Sequence, residues 1–445
     1  MNFRNILNNI IITFGTEVGI KIFSLFSTIL LVRNLSTNDF GTFSLLMSFA
    51  LTLCYLTCFG LPQAIVFHVG KYRKMLKKIV SASFFLNIFV AITVVTIFYL
   101  FRDYPLNSFL KKLPEDYFLM LLVLYFVNML NLFIISLFRA TKKFFLFNLS
   151  RALPPIFCLI GLIYLYLAAN FNLNNSIVVF MSVNIVFVLG FFVKIISILP
   201  IQFSFDVSIV KTMSKYGLKS YLALIVVHLI YQIDLYIIAC LLGVSQVAFY
   251  TISAGVATLL WLLPNIIGWV IFPEFASTSD EQEIHLFSAK ICRQTIFIMV
   301  IAAFSLALVG RHLIILLYGA EYIKSVNAMI LILPGIISMS SYKILTRNFS
   351  SRNRQQFPII AASIALIVNI CLNFLWIPGY GIEGAALAST ISYVLATAIL
   401  MVMFKRESNI SFLKIMLIDG TDIKIFGKII SKFYIKSIAL WNQKK

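Results

Sequence analysis

Residues 30–47 read LLVRNLSTNDFGTFSLLM, a short polar patch with one arginine, one aspartate and a Phe-Gly pair between two long apolar runs. Crossing the ~30 Å of bilayer hydrocarbon as a helix takes about 20 mostly apolar residues, and each flanking run is that long. The patch therefore reads as the turn of a transmembrane hairpin, and the fold class rests on whether the unit recurs.

It recurs along the whole chain. Of 445 residues, 61% are apolar, 15% aromatic and only 12% charged, where a soluble domain carries about 25% charged residues. Spans are expected at 8–32, 40–67, 79–101, 117–138, 149–169, 175–199, 217–242, 247–273, 291–310, 326–346, 356–377 and 382–404. The runs lack the short alternation of a membrane β-barrel. The first is longer than a signal peptide's apolar region and has no small-residue cleavage site, so it is expected to stay as a span. The fold class is an all-α polytopic membrane protein.

The net charge of +20 is sorted by side. With the N-terminus in the cytoplasm, cytoplasmic positions hold 29 of the 36 Lys and Arg residues. Six lie on the other side (Arg33, Arg102, Lys111, Lys112, Arg311 and Lys324), and Lys21 lies inside a span. This is the positive-inside pattern of twelve spans with both termini cytoplasmic. The charge serves topology, and no nucleic-acid partner is expected.

Displaced by 209 residues, LSTNDFGTFS (35–44) lies over VSQVAFYTIS (244–253), keeping a Ser, the Phe, the Thr and the final Ser. Pro62, late in the second span, is echoed by Pro264 and Pro273 in the eighth. The pairing predicts two six-span lobes of the same orientation, a parallel repeat about an axis along the membrane normal. The division is a first lobe at 1–199, a linker at 200–216, a second lobe at 217–404 and a tail at 405–445. In the tail, Lys424, Lys428, Lys432 and Lys436 recur every four residues beside Ile425, Phe426, Ile429, Ile430 and Phe433. That pattern predicts a basic amphipathic helix on the membrane surface.

The connections are short, the longest non-cytoplasmic one being 102–116. They leave no room for a nucleotide-binding domain, and no GxxxxGK[ST] loop occurs, so ATP hydrolysis by this chain is not expected. Cys54 and Cys58 stand four apart, but no Cys/His pair completes a metal site. The six cysteines read as helix packing, with no metal expected.

Ionisable groups inside spans are expensive and are functional candidates. Glu17 and Lys21 lie four apart on the first span, placed to neutralise each other partly. Lys21 stands ~20 Å along that helix from Asn8, near mid-membrane. They are candidates for holding an anionic headgroup, Glu17 also for taking a proton. Span 7 carries His228 and Asp234; Asn369 and Asn373 in span 11 and Thr390 in span 12 fall at a similar depth to Asp234. Carboxylate, amide and hydroxyl oxygens suit a hard monovalent cation, and Asp234 alone suits a proton. His228 reads as lining a polar cavity. Lys343 and Arg347 end span 10, Arg139 ends span 4 and His68 ends span 2, places from which an arginine grips a phosphate with two prongs.

Arg33-x-Leu35 with Phe40-Gly41-x-Phe43-Ser44 resembles the first-loop signature of bacterial polysaccharide-biosynthesis flippases of the Wzx type. These belong to the multidrug/oligosaccharidyl-lipid/polysaccharide exporter superfamily, which includes the MATE transporters. Asp234 with Gly243 and Tyr250, LLYGAEYIKSVNAM (316–329) and NICLNFLWIPGYGIEGAALAST (369–390) follow in the family's order. The resemblance implies two rocking six-helix lobes in a bacterial cytoplasmic membrane. They would move a polyprenyl-diphosphate-linked oligosaccharide, with no cofactor beyond a coupling sodium ion or proton. In related lipid II flippases, polar residues of helices seven, eleven and twelve bind sodium, and Asp234, Asn369, Asn373 and Thr390 take comparable places. Those relatives line the first lobe with arginines, whereas here Lys21 is the one deep cation read from the sequence. Membrane lipids and the pathway's polymerase and chain-length proteins are the further partners implied. The rival readings are a MATE-like drug/cation antiporter and, in another class, a membrane polysaccharide polymerase or ligase.

Overall fold

The computed structural model describes residues 3–72, 75–101, 115–198, 207–278, 280–420 and 422. Among these every regular element is helical. In hydrocarbon each backbone N–H and C=O must be satisfied within the protein, and a helix does so within one segment. The helices are α1 (Phe3–Asn34), α2 (Thr37–Thr57), α3 (Leu61–Lys71), α4 (Leu76–Leu100), α5 (Glu115–Ala140), α6 (Phe144–Leu167) and α7 (Leu173–Ile198). They continue with α8 (Val207–Leu241), α9 (Val244–Thr258), α10 (Leu262–Ser277), α11 (Glu281–Tyr318), α12 (Ser325–Ser351), α13 (Gln356–Ser408) and α14 (Phe412–Met416). Eleven stretches among the described residues are long and apolar enough to cross a membrane. One of them, α13, runs 53 residues and contains a non-helical Gly381 (φ 59°, ψ −140°). This break falls between the spans expected at 356–377 and 382–404.

Two helices are interrupted just before a proline. The second expected span breaks between α2 and α3, and Pro62 enters the first turn of α3, where a missing N–H costs nothing. The eighth breaks at a 3-10 turn, Leu259–Trp261, and Pro264 enters the first turn of α10. The sequence echo between Pro62 and Pro264 thus marks a shared helix break.

The chain forms two compact units. The first comprises Met1–Val256, Gly310–Ile332 and Ala362–Ser389. In it α1 packs along α6, while α2 and α3 pack on α5 and α8. The polar patch at 35–44 caps and closes this unit: Ser36 Oγ accepts from the Asp39 N–H at 3.1 Å, starting α2. Arg33 Nε donates to the Leu317 carbonyl at 2.9 Å, and its other arm reaches Leu316. Phe40 packs edge-on to the buried Tyr322, ring centroids 6.4 Å apart. A Cβ at Gly41 would stand 2.1 Å from the Val244 carbonyl oxygen, so only glycine admits that approach. Val244 begins the echoed segment 244–253, so the two copies of the motif touch.

The second unit comprises Ala257–Val309, Leu333–Ala361 and Thr390–Lys445. Arg352 binds Glu407 at 2.8 Å and Asn348 Oδ1 at 2.7 Å, tying α12 to the end of α13. Arg293 of α11 pairs with the fully buried Asp422 and donates to the Lys414 carbonyl at 3.0 Å. The segment after α13 is thereby folded onto α11. The tail stripe from Lys424 to Lys436, the loop cations Arg102, Lys111 and Lys112, and linker residues 200–206 lie outside the described residues.

Candidate functional site

Two polar clusters inside membrane-crossing helices belong to the first unit. The first is built on Asp234 of α8, which is 1% exposed. Tyr250 of α9 donates its hydroxyl to one carboxylate oxygen at 2.6 Å, and Ser389 donates to the same oxygen. Asn373 Nδ2 donates to the other oxygen at 2.7 Å and to Asn369 Oδ1 at 3.0 Å. Asn369 and Asn373 stand one turn apart on the first half of α13. The break at Gly381 returns the second half, and with it Ser389, to the same carboxylate. Asn373 Oδ1 and Asn369 Nδ2 are buried with no hydrogen-bond partner.

Of the four residues expected here, Asp234, Asn369 and Asn373 come together. The hydroxyl on Asp234 is that of Ser389, one residue before Thr390. Thr390 belongs to the second unit, where its Cα closes against Gly335. The donor set fits a monovalent cation: a buried carboxylate, an orphaned amide oxygen, a second amide oxygen and a hydroxyl all carry oxygen. Among the described residues no three His, Cys, Asp or Glu side chains gather as a transition-metal site.

The second cluster joins α1, α2, α5, α6 and α8. Glu17 pairs with Arg151 of α6, not with Lys21 as helix spacing suggests. The reason is packing, because α6 lies against α1 over its length and a guanidinium spans the helix gap to give a close charge pair. Lys21 is exposed and makes no ion pair among the described residues. Arg139 of α5 and Tyr55 of α2 both lie within electrostatic reach of Arg151. Tyr55 contacts His228 of α8, ring centroids 4.5 Å apart. His228 Nε2 bonds Thr52 at 2.7 Å; Thr52 also bonds Tyr236 at 2.6 Å, and Ser48 bonds Tyr236 and Gln232 at 2.8 Å. A polar seam therefore runs between α2 and α8, ending at the charged group. Arg151 pairs with Glu17, Arg139 lies within reach of Arg151, and Lys21 stands one turn from Glu17 on α1.

The other expected residues lie apart. His68 is buried and bonds the Ala64 carbonyl at 2.9 Å, a local helix contact. In the second unit Lys343 Nζ sits 4.4 Å above the Trp261 ring. Arg347 lies along Gly268, where a Cβ would be 3.2 Å from its Nε.

Residues 30–327 match the family described as polysaccharide biosynthesis protein. The chain belongs to this family. Two curated relatives are similar over part of their length. A putative O-antigen transporter of Shigella flexneri is 20% identical over 62% of this chain and 66% of its own. A probable low-salt glycan biosynthesis flippase of Haloferax volcanii is 23% identical over 37% of this chain and 36% of its own. The chain thus spans about a third and just under two thirds of the curated relatives it matches. Among solved structures, the lipid II flippase MurJ in its inward closed conformation shares the fold, with TM-score 0.72 and 16% identity over 98% of this chain and 100% of that one. An inward-facing MATE family transporter of the MOP superfamily superposes with TM-score 0.70 and 12% identity over 88% and 94%. The fold is shared with these two transporters, and the chain is a multi-pass membrane protein.

Within this polysaccharide biosynthesis protein, sequence reasoning missed Arg151, Tyr250 and Ser389 as site residues. Arg151, near the cytoplasmic start of the span expected at 149–169, is one of the 29 cations on that side and carries no further signal in the sequence. Tyr250 had a signal in the family motif that also carries Asp234.

Proposed function

We propose that the chain is a flippase that carries a polyprenyl-diphosphate-linked oligosaccharide across the bacterial cytoplasmic membrane by alternating access, with both termini cytoplasmic. The observation that supports this is the charge balance around Arg151. Lys21, Arg139 and Arg151 against Glu17 alone leave two positive charges in excess within membrane-crossing helices. Such charges are retained in hydrocarbon for a ligand that neutralises them, and a diphosphate does. A cation exporter needs the opposite excess. In this reading Arg151 and Arg139 grip the phosphate oxygens, each with a planar fork of donors. Lys21 adds a point charge, and Glu17 holds Arg151 extended. The seam of Ser48, Thr52, His228 and Tyr236 offers hydroxyl and imidazole partners to the sugars. Lys343 and Arg347 stay candidates for a phosphate contact.

Asp234, Asn369, Asn373 and Ser389 would hold the coupling ion, a sodium ion or a proton. The ion supplies the driving force of its gradient, and biases one state only through its differential affinity for the two. Tyr250 and Ser389 orient the Asp234 carboxylate. The exported units would pass to the polymerase and chain-length proteins of the same pathway.

The test is where lipid-linked units collect in cells lacking the chain. Trapping on the inner face, shielded from an external carbohydrate label, is the expected result. Units exposed on the outer face would point to a lost polymerase, and drug resistance on expression with intact surface glycan would point to an antiporter.

A further inference from the structure

A cavity of about 290 Å³ opens where α2 gives way to α3. Its walls include Cys58 and Phe59 at the break between α2 and α3, Val90 of α4, Met129 of α5, and Met213 and Leu218 of α8, all in the first unit. Phe59 and Leu218 are more than half exposed and form its opening. The walls are apolar except at Thr57 and Asn87. Asn87 is 3% exposed and donates to the Met129 carbonyl at 3.3 Å, while its Oδ1 has no partner.

The cavity adjoins the charged cluster. Tyr55 lies within electrostatic reach both of Cys58, which lines the cavity, and of Arg151, and its ring contacts His228. An anion site and an apolar hole that both adjoin Tyr55 fit a ligand in which hydrocarbon follows directly on phosphate. At about 30 Å³ per water-sized atom the hole takes roughly ten atoms, the carbons of two isoprene units. Two features favour a prenyl chain over the chain of a bilayer lipid. The two excess positive charges match a diphosphate better than a single phosphodiester, and a hole of this size admits one chain where a glycerolipid brings two. Methionine and phenylalanine walls adapt readily to a methyl-branched, unsaturated chain.

We propose that this cavity binds the first isoprene units of the polyprenyl chain while Arg151, Arg139 and Lys21 hold its diphosphate. The assignment rests on the function proposed above and extends it to the lipid end of the substrate. It makes the cavity the site that distinguishes prenyl carriers from membrane phospholipids.

The experiment measures binding of inorganic diphosphate, farnesyl diphosphate and phosphatidylglycerol to the full chain in detergent. Wild type should bind farnesyl diphosphate roughly tenfold or more tighter than inorganic diphosphate, from burial of its first carbons. Val90→Trp, which fills the cavity, should remove that advantage and leave inorganic diphosphate binding unchanged. A photoreactive farnesyl diphosphate on wild-type protein should label peptides containing 86–90 and 213–218, a readout that needs no variant to fold. Farnesyl binding unaltered in Val90→Trp, labelling elsewhere, or equal competition by phosphatidylglycerol would overturn the cavity assignment. Loss of inorganic diphosphate binding in Arg151→Gln supports the charged site independently of the cavity. Absence of any diphosphate binding in wild type overturns the functional reading and the cavity assignment with it.

Discussion

Arg151 of α6 pairs with Glu17 of α1 across the helix gap, so the one carboxylate of the first span is committed to an arginine that the sequence places near a loop. The pair has side chains 14% and 29% exposed, which puts it between a surface and a buried bridge. Removing one partner of a buried pair costs about 3–5 kcal/mol and of an exposed pair under about 1 kcal/mol. Arg151→Gln should therefore lower stability by about 1–3 kcal/mol, and Glu17→Gln/Arg151→Gln should recover most of that. Thermal unfolding in detergent measures the recovery. Export should stay lost in both, because the double variant removes the unpaired carboxylate but does not restore the phosphate donors of Arg151. A double variant that exports normally would remove Arg151 from the substrate site.

Asp234 is the acceptor of three donated hydrogen bonds. Asp234→Asn replaces one acceptor oxygen by an NH₂ that faces donors, and removes the charge. Export should fall by at least about tenfold and lose its dependence on the sodium or proton gradient, while the protein remains folded by thermal unfolding. Ser389→Ala deletes one donor and should shift the ion concentration for half-maximal export, leaving the maximal rate nearer wild type. Full gradient-dependent export by Asp234→Asn would refute coupling at this carboxylate.

How far these features could be read from the residues depends on what sets them. Span positions follow from bilayer thickness, a constraint on length that any apolar run must meet, and the break at Gly381 follows from a proline and glycines within one turn. The partner of Glu17 is different. Spacing along α1 identifies Lys21 as a neighbour, whereas Arg151 arrives through packing of α1 on α6, which no local pattern encodes. The step from Thr390 to Ser389 has a similar cause. Adjacent helical residues point about 100° apart, and the rotation of a helix beyond a glycine break is set by tertiary contacts. The Phe-Gly pair at 40–41 was legible as a motif, but its reason, a backbone contact with Val244, required the fold.

Gly41 gives a stability prediction from that contact. Its missing side chain admits the Val244 carbonyl, and any Cβ meets backbone atoms that have no rotamer to change. Gly41→Ala should destabilise by about 1–3 kcal/mol, the usual cost of overpacking, seen as a lower midpoint of thermal unfolding. Gly255→Ala, on α9, meets nothing within 4 Å and serves as the control, with a change within about 0.5 kcal/mol. If both variants unfold alike, the close approach of α2 to α9 does not contribute.

The segment after α13 should respond to acid. Burial alone would raise the carboxyl of Asp422, but hydrogen bonds from Arg293, Gln294 and the Asp419 backbone, with the Arg293 charge, outweigh it and hold the group below its ordinary value. A carboxyl depressed in the folded state stabilises above its unfolded pKa of about 3.9 and loses that contribution as pH falls through the lower folded value. Residues 409–422 should thus stay docked on α11 at neutral pH and be released only below about pH 4. Asp422→Asn should loosen them at every pH, because a neutral amide loses the charge attraction to the Arg293 guanidinium. Hydrogen exchange of the 409–422 peptide reads both effects directly. Protection that is equal in wild type and Asp422→Asn at pH 7 would show that Ile410 and Ile415, both buried, hold the segment without the ion pair.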